Sequence, residues 1–344
     1  MTSRHPTLGF PLLSGPVRVA MLGYGKAGHI FHGGVLRRVP ELRLHAAVTG
    51  NAERQARARE AGIAVVHATP AQAFADPGID LVVVATPHDT HAELAIQALE
   101  AGKHVVVDKP FAMDLPSCRR MEEAAARSGR LLTCYHNRRW DGDWLTLRQV
   151  ADSGALGDPR WLEMSWGGWG PQAGWRGTDR DGGGRFLDLA PHLVDQACQL
   201  FGTAVERVWC RQDHALPGSP VDSEALAVLC FAGGRTATIE CSSLTAVKKP
   251  RYLLRGTTAT FIKYGFDPQE AALIAGAIEG ASEAPELRGE IHTPDGVRRL
   301  VPTLPGRWQA FYENIAGVLL RGEAPAVVLP HVRAVVAVVE AARA

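Results

Sequence analysis

Lys109, Asp188 and His192 are the residues of this chain with the clearest chemical potential. Lys109 ends the apolar run Val105-Val106-Val107-Asp108 and stands directly before Pro110, which restricts it to an extended backbone. Asp188 and His192 follow Gly182-Gly183-Gly184, where missing Cβ atoms let a backbone pass close to a ligand. On a helix, Asp188, His192 and Asp195 recur at i, i+4 and i+7 and share a face. Pro191 fits best in a helix's first turn, which puts Asp188 at or just before the regular helix. An imidazole exchanges protons near neutral pH, and an ammonium stabilises charge developing on an oxygen. The pattern therefore points to proton transfer at an oxygen. Three other readings stay open: a surface lysine in a turn, a capping Asp with a satisfied core His, and a zinc site built from Asp and His.

A second signal lies upstream. Gly23-Tyr24-Gly25-Lys26-Ala27-Gly28 is G-x-G-x-x-G, placed between the apolar run Val17–Leu22 and a helix-like stretch ending near Val39. In that setting Gly23 permits the tight turn, Gly25 lets the backbone approach a pyrophosphate, and Gly28 lets helix and strand pack closely. The helix N-terminus adds free N–H groups for phosphate. An NAD site usually carries Asp or Glu after the second strand, on the ribose 2′-hydroxyl. Here the residues are Thr49, Gly50 and Asn51, with Arg54 one turn later. Hydroxyl, amide and guanidinium groups suit a 2′-phosphate, which favours NADP and leaves NAD open, since Glu53 is adjacent. The loop Thr86-Pro87-His88-Asp89-Thr90-His91 follows another strand. We expect it to pack along the nicotinamide ribose, with Thr90 or His91 capping the next helix rather than His88 and His91 binding metal.

The elements that must position these residues follow two patterns. Up to about residue 135, β and α stretches alternate, with strands reading as continuous Val, Leu and Ile. That pattern predicts a doubly wound parallel sheet covered on both faces. Beyond it, short strands at Arg160–Trp166, Val205–Arg211, Ala225–Phe231, Thr236–Cys241, Tyr252–Leu254 and Thr260–Tyr264 surround one helix, Arg185–Phe201. They predict a large, mostly antiparallel sheet, closed by helices near Arg307–Leu320 and His331–Arg343. The expected division is a flexible extension over 1–15, a dinucleotide-binding domain over 16–135, and a substrate-binding and oligomerisation domain over 136–344 that includes the closing helices.

Composition removes other classes. Lys and Arg number 37 against 36 Asp and Glu, so no excess charge calls for nucleic acid or an anionic membrane. No apolar run approaches the length of a membrane span. Six scattered cysteines without C-x-x-C favour a reducing cytoplasm over a disulfide framework or structural zinc.

Taken together, the motifs resemble the Gfo/Idh/MocA oxidoreductase family over nearly the whole chain. The glycine loop, Asp108-Lys109-Pro110 and Asp188-x-x-x-His192 stand in family order. Most members have Glu before Lys-Pro. Asp108 resembles one branch, as do His136-Asn137-Arg138-Arg139-Trp140-Asp141-Gly142-Asp143 and Tyr264-Gly265-Phe266-Asp267-Pro268-Gln269-Glu270. That branch includes NADP-dependent scyllo-inositol dehydrogenases.

The resemblance implies an α/β Rossmann domain followed by an α+β domain with an open sheet that forms homodimers or homotetramers. It implies Lys109, Asp188 and His192 as a metal-free catalytic trio, with Trp175 and Arg176 near the cofactor. It also implies Asn137, Arg139, Trp169 and Tyr264 on the substrate side. The expected reaction is hydride transfer between NADP, or NAD, and an inositol- or sugar-like polyol. Another carbonyl or imine substrate is an alternative, as is a non-catalytic nucleotide sensor of the same fold. Two departures stand out. Ala190 replaces a usual glycine, and Trp166-Gly167-Gly168-Trp169-Gly170-Pro171 is rich in Trp and Gly where close relatives carry an arginine and acidic groups.

Overall fold

The computed structural model describes residues 9–172, 174–178 and 182–344. They form two compact units. The first takes the chain up to His136 together with Leu273–Gly276 and Trp308–Val332; the second takes Asn137–Ala272, Ala277–Arg307 and Arg333–Ala344.

The first unit holds six parallel strands, β1 (Val17–Leu22), β2 (Leu42–Val48), β3 (Val65–His67), β4 (Leu81–Val84), β5 (His104–Val107) and β6 (Leu132–Cys134). Their order is β3-β2-β1-β4-β5-β6, the doubly wound arrangement of a Rossmann domain. Strands β4 and β5 are buried along their whole length, as strands covered on both faces must be. The helices between them are α1 (Gly33–Leu36), α2 (Ala52–Glu60), α3 (Pro70–Ala75), α4 (His91–Glu100) and α5 (Leu115–Ser128). Local chemistry starts several of them. Asn51 accepts the Arg54 N–H at 2.9 Å, Thr69 and Gln72 form a capping box, and Asp114 accepts the Ser117 N–H at 2.7 Å. Such caps satisfy backbone donors that a helix start leaves free.

The second unit begins with α6 (Gly142–Asp152). Strand β7 (Pro159–Gly167) and helix α7 (Arg185–Phe201) follow. Next come β8 (Val205–Asp213), β9 (Glu224–Phe231), β10 (Arg235–Ser242), β11 (Tyr252–Gly256) and β12 (Thr260–Lys263). After α8 (Gln269–Ile274) come β13 (Gly289–His292) and β14 (Arg298–Val301). The eight strands run in the order β14-β13-β12-β11-β7-β10-β9-β8. Only β7 and β10 pair in parallel; the other pairings are antiparallel. Helix α7 packs on β10, β9 and β7. Leu162 and Met164 of β7 are buried, while Arg160 and Trp161 are exposed.

Two boundaries differ from expectation. The closing helices do not both fall to the second unit, because α9 (Gln309–Arg321) packs within the first. Its Tyr312 hydroxyl lies 2.7 Å from His32 Nδ1, and its Phe311 ring meets Tyr135 edge-on at 4.8 Å. The last helix, α10 (Leu329–Ala341), is divided between the two units. Of the extension expected over 1–15, residues 1–8 lie outside the described residues. From Phe10 onward the segment is held rather than flexible: Phe10 is buried, its ring meets His104 at 4.9 Å, and Leu13 donates to the Leu319 carbonyl at 2.9 Å.

Candidate active site

The glycine loop of the first unit is shaped largely by missing side chains. Gly23 has φ +85°, and a Cβ there would lie 2.4 Å from the Ala85 carbonyl oxygen. A Cβ on Gly28 would lie 1.9 Å from the Gly23 carbonyl oxygen. Neither site admits a side chain. Gly25 differs, because its open side meets only the Arg54 guanidinium, 3.7 Å from where a Cβ would stand. The loop therefore has a bare face with a cation beside it, which fits a phosphorylated ligand. Thr49 and Asn51 support this edge. The Thr49 hydroxyl accepts the Asn51 N–H at 3.3 Å, and the Asn51 side chain positions Arg54 by capping α2. Glu53, the competing carboxylate, pairs with Arg57 at 2.8 Å. Ala27–His32 winds as a π-helical turn into α1, and the Tyr24 hydroxyl lies 3.0 Å from His29 Nδ1.

Lys109 stands at the end of β5, 9% exposed, and its peptide bond to Pro110 is cis. Asp108 accepts the Lys109 N–H at 2.8 Å and lies 3.7 Å from the fully buried His32 Nε2. Burial pushes the Asp108 pKa up, but His32 and Lys109 outweigh it and hold the carboxyl well below the usual range. His91 braces the same turn, with Nδ1 2.8 Å from the Pro110 carbonyl and Nε2 3.0 Å from the Thr86 carbonyl. Burial lowers its pKa, and a neutral ring donates to only one of two carbonyls at a time. The Thr90 hydroxyl bonds the Pro87 carbonyl and the Thr86 hydroxyl, both at 2.6 Å. Neither Thr90 nor His91 caps α4 with its side chain, contrary to expectation. Both side chains instead tie the strand-end loops together, and His91 is fully buried.

In the second unit, Asp188 and His192 project from α7. The helix starts at Arg185 and runs through Pro191, so Asp188 sits inside its first turn rather than before it. The glycine approach is close-packed, since a Cβ on Gly183 would lie 2.3 Å from the Thr178 carbonyl and 2.4 Å from that of Arg176. Arg176 is thereby held over the helix start, where its Nε donates to Asp188 Oδ1 at 3.0 Å. Its guanidinium also lies over the Trp175 ring, 4.7 Å from the centroid. His192 is 6% exposed and stacks on Trp166 with ring centroids 6.0 Å apart. This arrangement can hold a proton acceptor, an adjacent carboxylate and a cation in one place.

Known proteins carry the same organisation. The family model described as an oxidoreductase family with an NAD-binding Rossmann fold matches residues 17–136, and the GFO/IDH/MocA C-terminal domain matches residues 144–262. The chain belongs to the GFO/IDH/MocA oxidoreductase family. It is 37% identical over 314 residues to the uncharacterized oxidoreductase YdgJ of Escherichia coli, covering 89% of this chain and 90% of that protein. It is 32% identical to IolW of Bacillus subtilis, a scyllo-inositol 2-dehydrogenase (NADP(+)), over 95% of this chain and 92% of that one. A solved Klebsiella pneumoniae protein described as an oxidoreductase superposes with a TM-score of 0.87 at 34% identity, covering 96% of this chain and 92% of its own.

Within this GFO/IDH/MocA chain the expected substrate-side residues separate. Arg139 is committed elsewhere: its Nε and Nη2 bond both oxygens of Asp195, the closest at 2.6 Å. The Asp195 side chain is buried and that of Arg139 nearly so, so Arg139 braces α7. The same pair removes Asp195 from the Asp188–His192 face as a chemical group. Asn137 is buried in a 3₁₀ turn. Trp169 and Tyr264 are exposed, at 73% and 40%. Lys263 donates to the Tyr264 carbonyl at 2.7 Å, and Trp169 bridges Leu244 through its backbone. No cluster of three metal-ligating side chains occurs among the described residues.

Trp166 was legible by parity, because it follows the buried Leu162 and Met164 at period two. Arg251 carried no sequence signal, yet its guanidinium lies over the same indole, 4.4 Å from the centroid.

Proposed function

We propose that the chain transfers a hydride between NADP(H), with NAD(H) second, and a CH–OH or C=O group of an inositol- or sugar-like polyol. The observation that carries this reading is Asp188, held by Arg176, one turn before His192 on the glycine-led helix. The nicotinamide, when bound, supplies or accepts the hydride. His192 takes the hydroxyl proton as the carbonyl forms and returns it in the reverse direction. The Lys109 ammonium stabilises charge on the reacting oxygen. Asp188 bonds that hydroxyl or orients the imidazole. Arg54, beside Gly25, takes the 2′-phosphate.

The relatives support the reaction class. One is the NADP-dependent IolW, and another, 28% identical over 66% of this chain, is a myo-inositol 2-dehydrogenase of Thermotoga maritima. The reading includes a homodimer or homotetramer formed through the eight-stranded sheet, which exposes Trp209, Leu226 and Leu300 on its strands. It also includes a cytoplasmic setting, which suits six free cysteines. No helix among the described residues is long and apolar enough to cross a membrane.

The test is initial-rate nicotinamide absorbance with NADP⁺ and NAD⁺ in turn, against myo-inositol, scyllo-inositol, glucose and xylose. A polyol-dependent rate, faster with NADP⁺, is expected. Silence with every substrate, in protein shown to bind NADP(H), overturns the polyol reading.

A further inference from the structure

The end of β7, the approach to β11 and the turn after β12 enclose a pocket of about 240 Å³ within the second unit. Ser165, Thr245, Lys248, Lys249, Arg251 and Phe266 are among its walls; three of these are cations, and none of the lining residues is a carboxylate. Lys249 is partly spent on Glu240, outside the pocket. Lys248 is exposed.

Arg251 is the unusual member. It is only 2% exposed, and burying a guanidinium is costly unless its donors are used. Its Nη1 reaches the Ser165 carbonyl at 3.2 Å, while its Nε has no hydrogen-bond partner among the described residues. Its face lies over Trp166 at 4.4 Å and Phe266 at 5.2 Å, contacts that stabilise the cation without using its N–H groups. The buried Asp143 acts on it electrostatically but does not line the pocket. The cavity is smaller than the roughly 300–1,000 Å³ of a drug-sized site. It suits one compact group, and the planar fork of an arginine matches carboxylate and phosphate oxygens. The Trp166 ring against Arg251 is also the ring on which His192 stacks.

We propose that this pocket holds a carboxylate or phosphate group, and that the group belongs to the substrate, making it a polyol with an acidic end. The substrate clause rests on the hydride-transfer reading; the oxyanion site does not.

The experiment is calorimetric titration of the full chain, at fixed ionic strength, with inorganic phosphate, gluconate and its neutral counterpart glucitol. Saturable binding of gluconate, competed by phosphate and much weaker for glucitol, is expected. Arg251→Gln should weaken it about tenfold or more, the range of a lost charge-assisted hydrogen bond. The exposed Lys248→Ala should weaken it about two- to fivefold, and His192→Phe, which keeps a ring against Trp166, should leave phosphate affinity within about twofold, since that side chain is outside the pocket. If Arg251→Gln does not fold, Lys248→Glu decides by reversing a charge at the rim. Equal binding of glucitol, or anion binding indifferent to Arg251 and Lys248, overturns the site. Loss of phosphate affinity in His192→Phe overturns it too, by moving the anion to the imidazole. Phosphate binding without gluconate binding keeps the oxyanion site and overturns the substrate clause. Anion binding without turnover of any substrate counts against hydride transfer alone. Turnover of neutral polyols without anion binding counts against the pocket alone.

Discussion

The two units build ligand-facing surface in opposite ways. In the first unit, Gly23 and Gly28 omit side chains so that backbone packs on backbone, and Gly25 leaves an open face beside Arg54. Around α7 the second unit fills the space with charged and aromatic side chains that largely spend their charges on one another. Arg139 pairs with Asp195, Arg138 with Glu270 and Asp141, and Arg176 with Asp188. A charged residue in the second unit is thus a poor indicator of function until its partner is known.

The largest expected effect tests which titratable residues of each unit do chemistry. His192→Ala should lower kcat about 10²–10⁴-fold, the usual worth of a placed general base, and Lys109→Ala should cost at least as much. Both variants should still bind NADP(H) and melt near the parent temperature. A loss under about threefold for His192→Ala would remove it from the reaction, being far below that range.

Arg139→Ala sharpens the contrast, because it should act on stability and not on chemistry. Removing one partner of a buried ion pair costs about 3–5 kcal/mol, and here Asp195, 1% exposed, would be left in the core. The readout is the urea midpoint, with kcat and KM measured on the folded fraction. A normal melting curve with a strongly raised KM would return Arg139 to the substrate side.

The same contrast explains what could be read beforehand. The glycine loop and the strand-ending Lys109-Pro110 are contiguous signals, because a turn or a strand end is decided within a few residues. The pair Arg139–Asp195 joins residues 56 apart, and the role of His91 depends on the carbonyl of Pro110, 19 residues on. Separations of that kind leave no periodic trace. Strand β14 was missed because its residues are mostly exposed, so no apolar alternation marks it. Helix α9 showed a buried face, but amphipathicity says only that a face is covered, not by which unit.

A pH series sets one buried group of each unit against the other. In the first unit, His104 Nδ1 accepts the Leu131 N–H at 2.9 Å, and burial, aided by Arg130, pushes its pKa down to about 3. The unfolded chain therefore takes the proton first, so this contribution is complete above about pH 6.5 and is lost as pH falls toward 3. In the second unit, burial raises the Asp143 pKa to about 6, against Arg251. Its contribution has the opposite sign: it is complete below about pH 3.8 and is lost as pH rises through 6. Between pH 6.5 and 5, His104 alone should cost about 2 kcal/mol. His104→Asn keeps an acceptor for Leu131 and should remove that loss from the urea midpoints. Asp143→Asn should make the acid loss steeper. Equal slopes in both variants would show that neither group titrates between the folded and unfolded states.

The smallest effect asked for decides how the bare face of the glycine loop is used. Arg54 is exposed, and its guanidinium stands 3.7 Å from the Cβ position of Gly25. The proposed use of that cation is to meet an anion carried by the ligand. Arg54→Ala should therefore lower kcat/KM for NADP⁺ about tenfold, roughly 1.4 kcal/mol and the low end for a charge-assisted hydrogen bond in solvent. It should leave NAD⁺ within about twofold, because NAD⁺ has no 2′-phosphate to lose. Glu53 pairs with Arg57, so Glu53→Gln should change the NADP⁺ value little. An equal loss for both nucleotides would place Arg54 on the shared pyrophosphate instead. A gain for NADP⁺ in Glu53→Gln that matches the Arg54→Ala loss would make the carboxylate, not the guanidinium, the residue that discriminates between them.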